Sequence, residues 1–501
     1  SIMYPELFLY ISAVLYLLGV SLIASYKFLI LCINIGTACL GFYSFRRLLR
    51  SDKLGAIVTL LYLTNPYRLI NIFQRAAVGE ILAQMFLPLL LYGVYELIFG
   101  NAKKWWVAVL AATGILQSHI LSVGMSLFFC IGIFLAGLVY MTRHDLKERL
   151  LSCAKACIMS IGINLWFLIP FFDHFRDDFV IQNQVTDLQE RAVDIYTMFR
   201  INMQLQGPSY DTGVLREEFV SIGAVVLLGS VIYLYYAYIR HTVEKRLKSI
   251  GTACLCVGAL CCYMASRAFP WAFIQEYMPG LYKVFGTVQF AWRFLAYAAL
   301  LLSITAGIAL WELVKEKREW AVAVLVGLAI FMTFSCMDQF ARSSIFIASR
   351  SEVQNYDATW FDYYASDTDP WEIIHQSDTV KASDNIEITS YKRHGVELSF
   401  DYSGVTDQCT LRLPIYDYGM YEIYLNGERI DPAVSENHQL TLTLTEDNAS
   451  GHIEVRYREE MLYKAGDCIS LLLIAALGFI CVMRKGRNNG KRKNITGHSV
   501  L

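Results

Sequence analysis

Long apolar runs dominate this chain, and they decide what it can fold into. They lie at 6–24, 28–44, 54–64, 81–99, 105–118, 121–140, 152–172, 219–239, 250–264, 293–314, 320–339 and 467–483. Crossing the hydrocarbon core of a bilayer takes about 20 apolar residues as a helix. The chain therefore reads as an α-helical polytopic membrane protein with about 12 transmembrane helices. The runs at 54–64, 105–118 and 250–264 are short for that distance and are expected to be interfacial ends or broken helices. A water-soluble enzyme is excluded, because 55% of the 501 residues are hydrophobic and only 17% are charged.

The 43 Lys and Arg nearly cancel the 44 Asp and Glu, so placement carries the information. Basic residues gather at the ends of apolar runs: Arg46, Arg47, Arg50 and Lys53; Lys103 and Lys104; Arg143, Lys147 and Arg149; Arg240, Lys245, Arg246 and Lys248; Lys315, Lys317 and Arg318; and a tail from Arg484 to Lys493. This segregation suits membrane orientation and points to no nucleic-acid partner. Cytoplasmic loops collect Lys and Arg, and all six clusters can lie inside together. Segments 65–80, 118–121, 173–218, 265–292 and 340–464 are then outside. The topology of the first two helices stays open. Of the 13 Cys, Cys409 alone lies in the polar region, so no disulfide framework holds that region.

Between 340 and 464 the pattern changes to short alternating segments bounded by turn residues. Strands are expected at Val396–Tyr402, Thr410–Leu413, Tyr421–Leu425, Glu428–Ile430, Gln439–Thr445 and His452–Tyr457. Asn426-Gly427 between two of them signals a hairpin, since both residues tolerate positive φ in a type I′ turn. The domain plan is a multi-pass region over 1–339 with an outer loop at 173–218, an extracytoplasmic β-sandwich domain over 340–464, a final transmembrane helix over 465–484 and a basic cytoplasmic tail over 485–501.

Chemistry concentrates between Asn65 and Glu80. Asn65 can cap a helix that opens on Pro66, and Arg68 and Arg75, seven residues apart, are expected to share a face of it. Gly79 lets the backbone bend or pack closely, and Glu80 stands where the next span enters the membrane. Two guanidiniums beside one carboxylate suit an anionic head group, with the arginines clamping a phosphate and Glu80 binding a metal or acting as base. The same residues could equally be a structural Arg–Glu pair. His119 in an outer turn is either a ligand to the head group or a polar cap. Gln289, Trp292 and Arg293 could bind a sugar by stacking and hydrogen bonding, or anchor a helix at the interface. Asp173, Asp177 and Asp178 are further carboxylates in the long outer loop. No metal-ligand cluster stands out; the cofactor is unspecified, and a divalent cation would serve.

Tyr67-Arg68, Arg75 and Gly79-Glu80, followed by Phe86-Leu87-Pro88, Ser118-His119, Asn164-Leu165-Trp166 through Pro170-Phe171, and Gln289-Phe290-Ala291-Trp292-Arg293-Phe294 resemble the signature of bacterial multi-pass proteins of the 6-pyruvoyl-tetrahydropterin synthase-related family. That resemblance extends to GT-C type glycosyltransferases, which transfer sugars from polyprenyl-phosphate donors outside the cytoplasm. It implies a lipid-linked sugar donor and an envelope polymer acceptor as partners beside the lipid bilayer, with Glu80 catalytic and Arg68, Arg75, His119, Gln289, Trp292 and Arg293 binding substrate. The resemblance also places catalytic carboxylates in a first outer loop that is absent here, so the chain is expected to be either an N-terminally truncated fragment or a protein without that centre. The alternatives are a transporter or flippase for a lipid-linked precursor, and a non-catalytic envelope assembly protein.

Overall fold

The computed structural model describes residues 3–183, 186–201, 220–343, 362–369, 371–372, 380–382 and 386–496. Its helices are α1 Leu9–Leu17, α2 Leu22–Leu49, α3 Asp52–Leu63, α4 Pro66–Phe73, α5 Val78–Ile98, α6 Trp105–Leu116, α7 Ile120–Thr142, α8 Leu146–Ile163, α9 Leu165–Asp173, α10 Val180–Asn183, α11 Ile195–Met198, α12 Ala224–Leu234, α13 Lys245–Ala265, α14 Trp271–Tyr277, α15 Pro279–Gly286, α16 Leu295–Lys315, α17 Glu319–Ser343 and α18 Met461–Thr496. Among the described residues seven are long and apolar enough to cross a membrane, or up to eight if α8 and the helix that follows it make one span.

Seven or eight is fewer than the expected dozen because several apolar runs do not form full-length helices. The run 6–24 is interrupted at Gly19, φ 89, and Ser21 opens α2 by accepting the Ala24 N–H. Only the 9-residue α1 remains before the break, while α2 takes in the rest and reaches 28 residues. Runs 54–64 and 105–118 become α3 and α6, 12 residues each, about 18 Å long. The run at 250–264 is longer than expected: α13 starts at Lys245 and spans 21 residues. Run 152–172 is divided at Asn164, whose amide donates to the Ser160 carbonyl at 2.7 Å and to Thr113 Oγ1 at 3.1 Å.

The chain divides into two compact units, one of Met3–Asn164 with Val185–Ala348 and one of Leu165–Gln184 with Ser349–Leu501. In the first, α16 is the central helix, buried along nearly its whole length and packed by α3, α12 and α13. Small residues permit the close approaches: a methyl group added at Gly93 of α5 would stand 2.7 Å from the Ala108 backbone of α6. By contrast, α7 and α17 bury little of their apolar surface, as helices facing lipid do.

Two ends of this bundle differ in chemistry. At one, Arg149 at the start of α8 donates to the carbonyls of Leu97, Ile98 and Gly100, closing the C-terminus of α5. Lys104 pairs with Glu96 at 2.6 Å, Arg246 donates to the Leu48 carbonyl at the end of α2, and Arg240 meets Glu316 at 3.4 Å. Five of the six basic clusters belong to helix ends joined there. The other end carries α4, the start of α5, the turn before α7 and the start of α16.

In the second unit the eight strands β1 Glu387–His394, β2 Glu397–Ser403, β3 Cys409–Tyr416, β4 Tyr421–Leu425, β5 Glu428–Ile430, β6 Ala433–Val434, β7 Gln439–Leu444 and β8 Ser450–Tyr457 form two antiparallel sheets, ordered β1-β2-β8-β4-β5 and β3-β7-β6. Leu398, Phe400, Ile453 and Val455 of the first sheet share one apolar core with Leu411, Leu413, Leu440 and Leu442 of the second. Asn426 and Gly427, φ 52 and 88, make the tight turn between β4 and β5. Most of the expected outer loop 173–218 beyond residue 201 lies outside the described residues.

Candidate functional site

Glu80 is the third residue of α5, where the unpaired N–H groups of the first turn favour negative charge. The residue is 4% exposed, and its side chain faces four donors. Oε1 accepts from the Tyr67 hydroxyl at 2.6 Å and from Asn71 Nδ2 at 3.3 Å. Oε2 lies 2.8 Å from Arg75 Nη1 and 3.5 Å from Arg293 Nε.

Local sequence explains how these groups arrive. Asn65 caps α4 by accepting the Tyr67 N–H at 3.0 Å, with Pro66 at the first helical position. The four-residue spacing of Tyr67 and Asn71 then sets both on one face. Arg75 lies past the end of α4, and the chain turns back at Ala76, φ 46, into α5. Arg293 sits in the 3-10 turn Ala291–Phe294 that leads into α16. Its Nη1 donates to the Val288 carbonyl at 2.6 Å and to Gln289 Oε1 at 3.0 Å.

An aromatic floor accompanies the charges. Phe290 and Trp292 stack with centroids 4.4 Å apart. The guanidiniums of Arg293, Arg75 and Arg191 lie 4.9, 5.8 and 5.9 Å from the Phe290 centroid, within cation–π range. Trp292 is buried, and its indole Nε1 has no hydrogen-bond partner among the described residues.

His119, in the turn before α7, meets Ser122 Oγ through Nδ1 at 2.9 Å and stands edge-on to Tyr4 at 6.3 Å. Burial, with the Arg293 charge adding to it, pushes the imidazole down to about 3, so it is neutral. Burial and then the Glu80 charge push the Tyr67 hydroxyl well above the usual phenol value, which keeps it a donor. Gly79 closes this corner: a methyl group there would collide with the Tyr4 hydroxyl and stand 2.7 Å from the Ser118 carbonyl.

Arg68 is placed apart. Its Nη2 donates to Asn34 Oδ1 of α2 at 3.0 Å and its Nη1 to the Ile81 carbonyl at 3.5 Å. Sharing of one helical face by Arg68 and Arg75 is not what forms, because α4 stops at Phe73. Arg293 instead joins Arg75 beside Glu80. The structure thus brings together Arg75, Glu80, His119, Gln289, Trp292 and Arg293. Tyr67 and Asn71 are additional; their i, i+4 spacing ahead of Glu80 was the available signal.

The loop carboxylates, all in the second unit, are engaged. Asp173 accepts from the Tyr463 hydroxyl at 2.5 Å, Asp177 pairs with His174 Nδ1 at 2.6 Å, and Asp178 accepts from Ser366 Oγ at 2.6 Å. Among the described residues no three His, Cys, Asp or Glu side chains gather as metal ligands.

Residues 3–343 match the family model for the 6-pyruvoyl-tetrahydropterin synthase related domain, a membrane protein family. The chain belongs to this family. It is a multi-pass membrane protein in contact with the lipid bilayer. The family stretch holds every residue of the Glu80 cluster and ends ahead of the β sheets. No curated protein and no solved structure matches the chain.

Proposed function

We propose that this protein takes a polyprenyl-phosphate-linked sugar from the outer leaflet at the Glu80 end of its bundle and transfers the sugar to an envelope polymer, in the manner of GT-C type glycosyltransferases. The carrying observation is an imbalance of buried charge with donors to spare. Arg75 and Arg293 oppose the single carboxylate of Glu80, and among the described residues Trp292 Nε1 has no hydrogen-bond partner while Arg293 Nε has only its 3.5 Å ion pair with Glu80. An anion brought from the bilayer would complete both. With the basic helix ends in the cytoplasm, the Glu80 end lies outside, where a nucleotide sugar is not available and a lipid-linked donor is.

In this reading Arg75 and Arg293 hold the phosphate, Trp292 and Gln289 face the sugar, and neutral His119 hydrogen-bonds a hydroxyl. The acceptor oxygen bonds to the anomeric carbon as the carbon–oxygen bond to phosphate breaks. The phosphate leaves with the electron pair, stabilised by the guanidiniums, and the acceptor proton passes to Glu80 in exchange for one of its present donors.

One observation favours a second reading. Glu80 already faces four donors, which suits a carboxylate that orders its neighbours better than one that takes a proton. A flippase or an envelope assembly protein would use the same head-group site without transfer. Photo-crosslinking to a polyprenyl phosphate, beside sugar incorporation in cells, separates the two. Arg75→Met and Arg293→Met are expected to lose both signals at unchanged expression. Glu80→Gln should lose incorporation alone if transfer occurs. Crosslinking that persists in both arginine variants would refute the site.

A further inference from the structure

Helices α14 and α15, between α13 and the start of α16, divide their side chains three ways. In α15, Tyr282 and Gly286 are buried, Lys283 and the following Thr287 share an exposed polar side, and Leu281 and Val284 share an exposed apolar one. The same division holds in α14. Trp271 is buried with Ile274 half-buried, Gln275 and Glu276 are exposed, and Phe273 and Tyr277 stand together on the outside with ring centroids 4.6 Å apart. Tyr277 is 64% and Val284 66% exposed, so nothing among the described residues covers this apolar side. The opposite side is well seated. Trp271 Nε1 donates to the Met264 carbonyl at 2.8 Å, and its ring lies 5.5 Å from Phe285 and 6.1 Å from Phe294. The Tyr282 hydroxyl accepts the Leu188 N–H at 2.9 Å and donates to the Thr186 carbonyl at 3.0 Å. A fixed hairpin with a bare apolar side calls for an apolar partner.

Contact with α7 identifies that partner. Phe285 of α15 meets Phe128 of α7 with ring centroids 5.5 Å apart, and Phe128 lies beside exposed Leu127 and Ile131 on the lipid-facing surface of α7. With 23 residues α7 is about 35 Å long, slightly more than the thickness of the hydrocarbon core. Phe128 stands about 12 Å along it from Ile120, so α15 touches α7 at hydrocarbon depth. The bare side of the hairpin therefore continues a surface that is already in lipid. Its chemistry suits that level, with aromatic rings for the interface and a lysine whose stem can reach water. Short helices with one apolar and one polar side lie in the plane of the membrane surface.

We propose that α14 and α15 form an interfacial hairpin whose Phe273, Tyr277, Leu281 and Val284 lie among the lipid chains of the leaflet at the Glu80 end of the bundle. The hairpin ties the Glu80 cluster to head-group depth, since the Phe285 carbonyl accepts the Val288 N–H and the Val288 carbonyl accepts Arg293 Nη1 at 2.6 Å. This placement stands whether or not a sugar is transferred there. The test uses the full chain in vesicles of phosphatidylcholine and phosphatidylglycerol, in a background without other reactive thiols. Nitroxides attached at Phe273→Cys, Tyr277→Cys, Leu281→Cys, Val284→Cys, Lys283→Cys and Thr287→Cys are read for collisions with oxygen and with a water-soluble nickel chelate. Oxygen collisions are expected to dominate at the first four positions and nickel collisions at the last two. On the unsubstituted chain, an apolar carbene photoreagent dissolved in the bilayer should modify Phe273, Tyr277, Leu281 and Val284 and spare Lys283 and Thr287. Dominant nickel collisions at all six positions would put the hairpin in water, and shielding of the first four from both reagents would mean that a protein covers them. Either result, or a photoreagent that leaves the hairpin unmodified, would overturn the assignment.

Discussion

Glu80 balances charge at its end of the bundle, and Glu80→Gln isolates that role at the scale of one residue. The variant leaves Arg75 and Arg293 buried without a counter-ion, which costs about 3–5 kcal/mol. A lowered Tm in nanodiscs measures it; an unchanged Tm would mean that the arginines are compensated elsewhere. Gly79→Ala is expected to cost about 1–3 kcal/mol through overpacking. Because the Ser118 carbonyl is backbone at 2.7 Å, adding Tyr4→Phe should not restore stability, and full recovery would contradict the packing. His119 is neutral in the fold with its pKa near 3, while unfolded histidine binds a proton near 6.5. Its contribution is present above about pH 6.5 and is lost as pH falls toward 3, so wild-type Tm should drop more steeply across that window than the Tm of His119→Gln. Asn65-Pro66 and the position of Glu80 were legible from local rules. Arg293 was readable as a helix-mouth residue but not as the partner of Glu80, because that pairing depends on tertiary packing that no spacing encodes.

For whole elements, caps and breaks decide where helices stop. Arg149→Met removes the hydrogen bonds to the last carbonyls of α5 and should cost about 2 kcal/mol. Arg143→Met, at an exposed residue of the same basic cluster, should change stability by less than about 0.5 kcal/mol; equal losses would refute the capping role. The apolar runs located most helices, yet hydropathy alone could not reveal the positive φ of Gly19 or the buried amide of Asn164. Nor could it carry α13 back through the polar Lys245–Ser249. Strands with clean alternation were legible, β2 and β7 among them. β1 was not, because it is an exposed edge strand with a register shift between Thr389 and Lys392, so it lacks a buried face to alternate.

Across the molecule, α5 links the two chemically distinct ends of the first unit, about 30 Å apart by its 21 residues. Single cysteines replacing exposed Lys103 and Thr287, in a background without other reactive thiols, should therefore label from opposite faces of a sealed vesicle. Labelling of both from one face would refute the transmembrane placement of the bundle. The short helices α3 and α6, 12 residues each, explain why composition overstated the number of spans: a short apolar helix and a spanning one are equally apolar, and only the folded length separates them. The ion pairs of Glu80 also carry a consequence for biosynthesis. Arg75 is only five residues from Glu80 and emerges from the ribosome just before it, whereas Arg293 is made much later. The nascent chain can thus neutralise its acid locally while the early helices insert, and Arg293 joins the pair only when the start of α16 has been made.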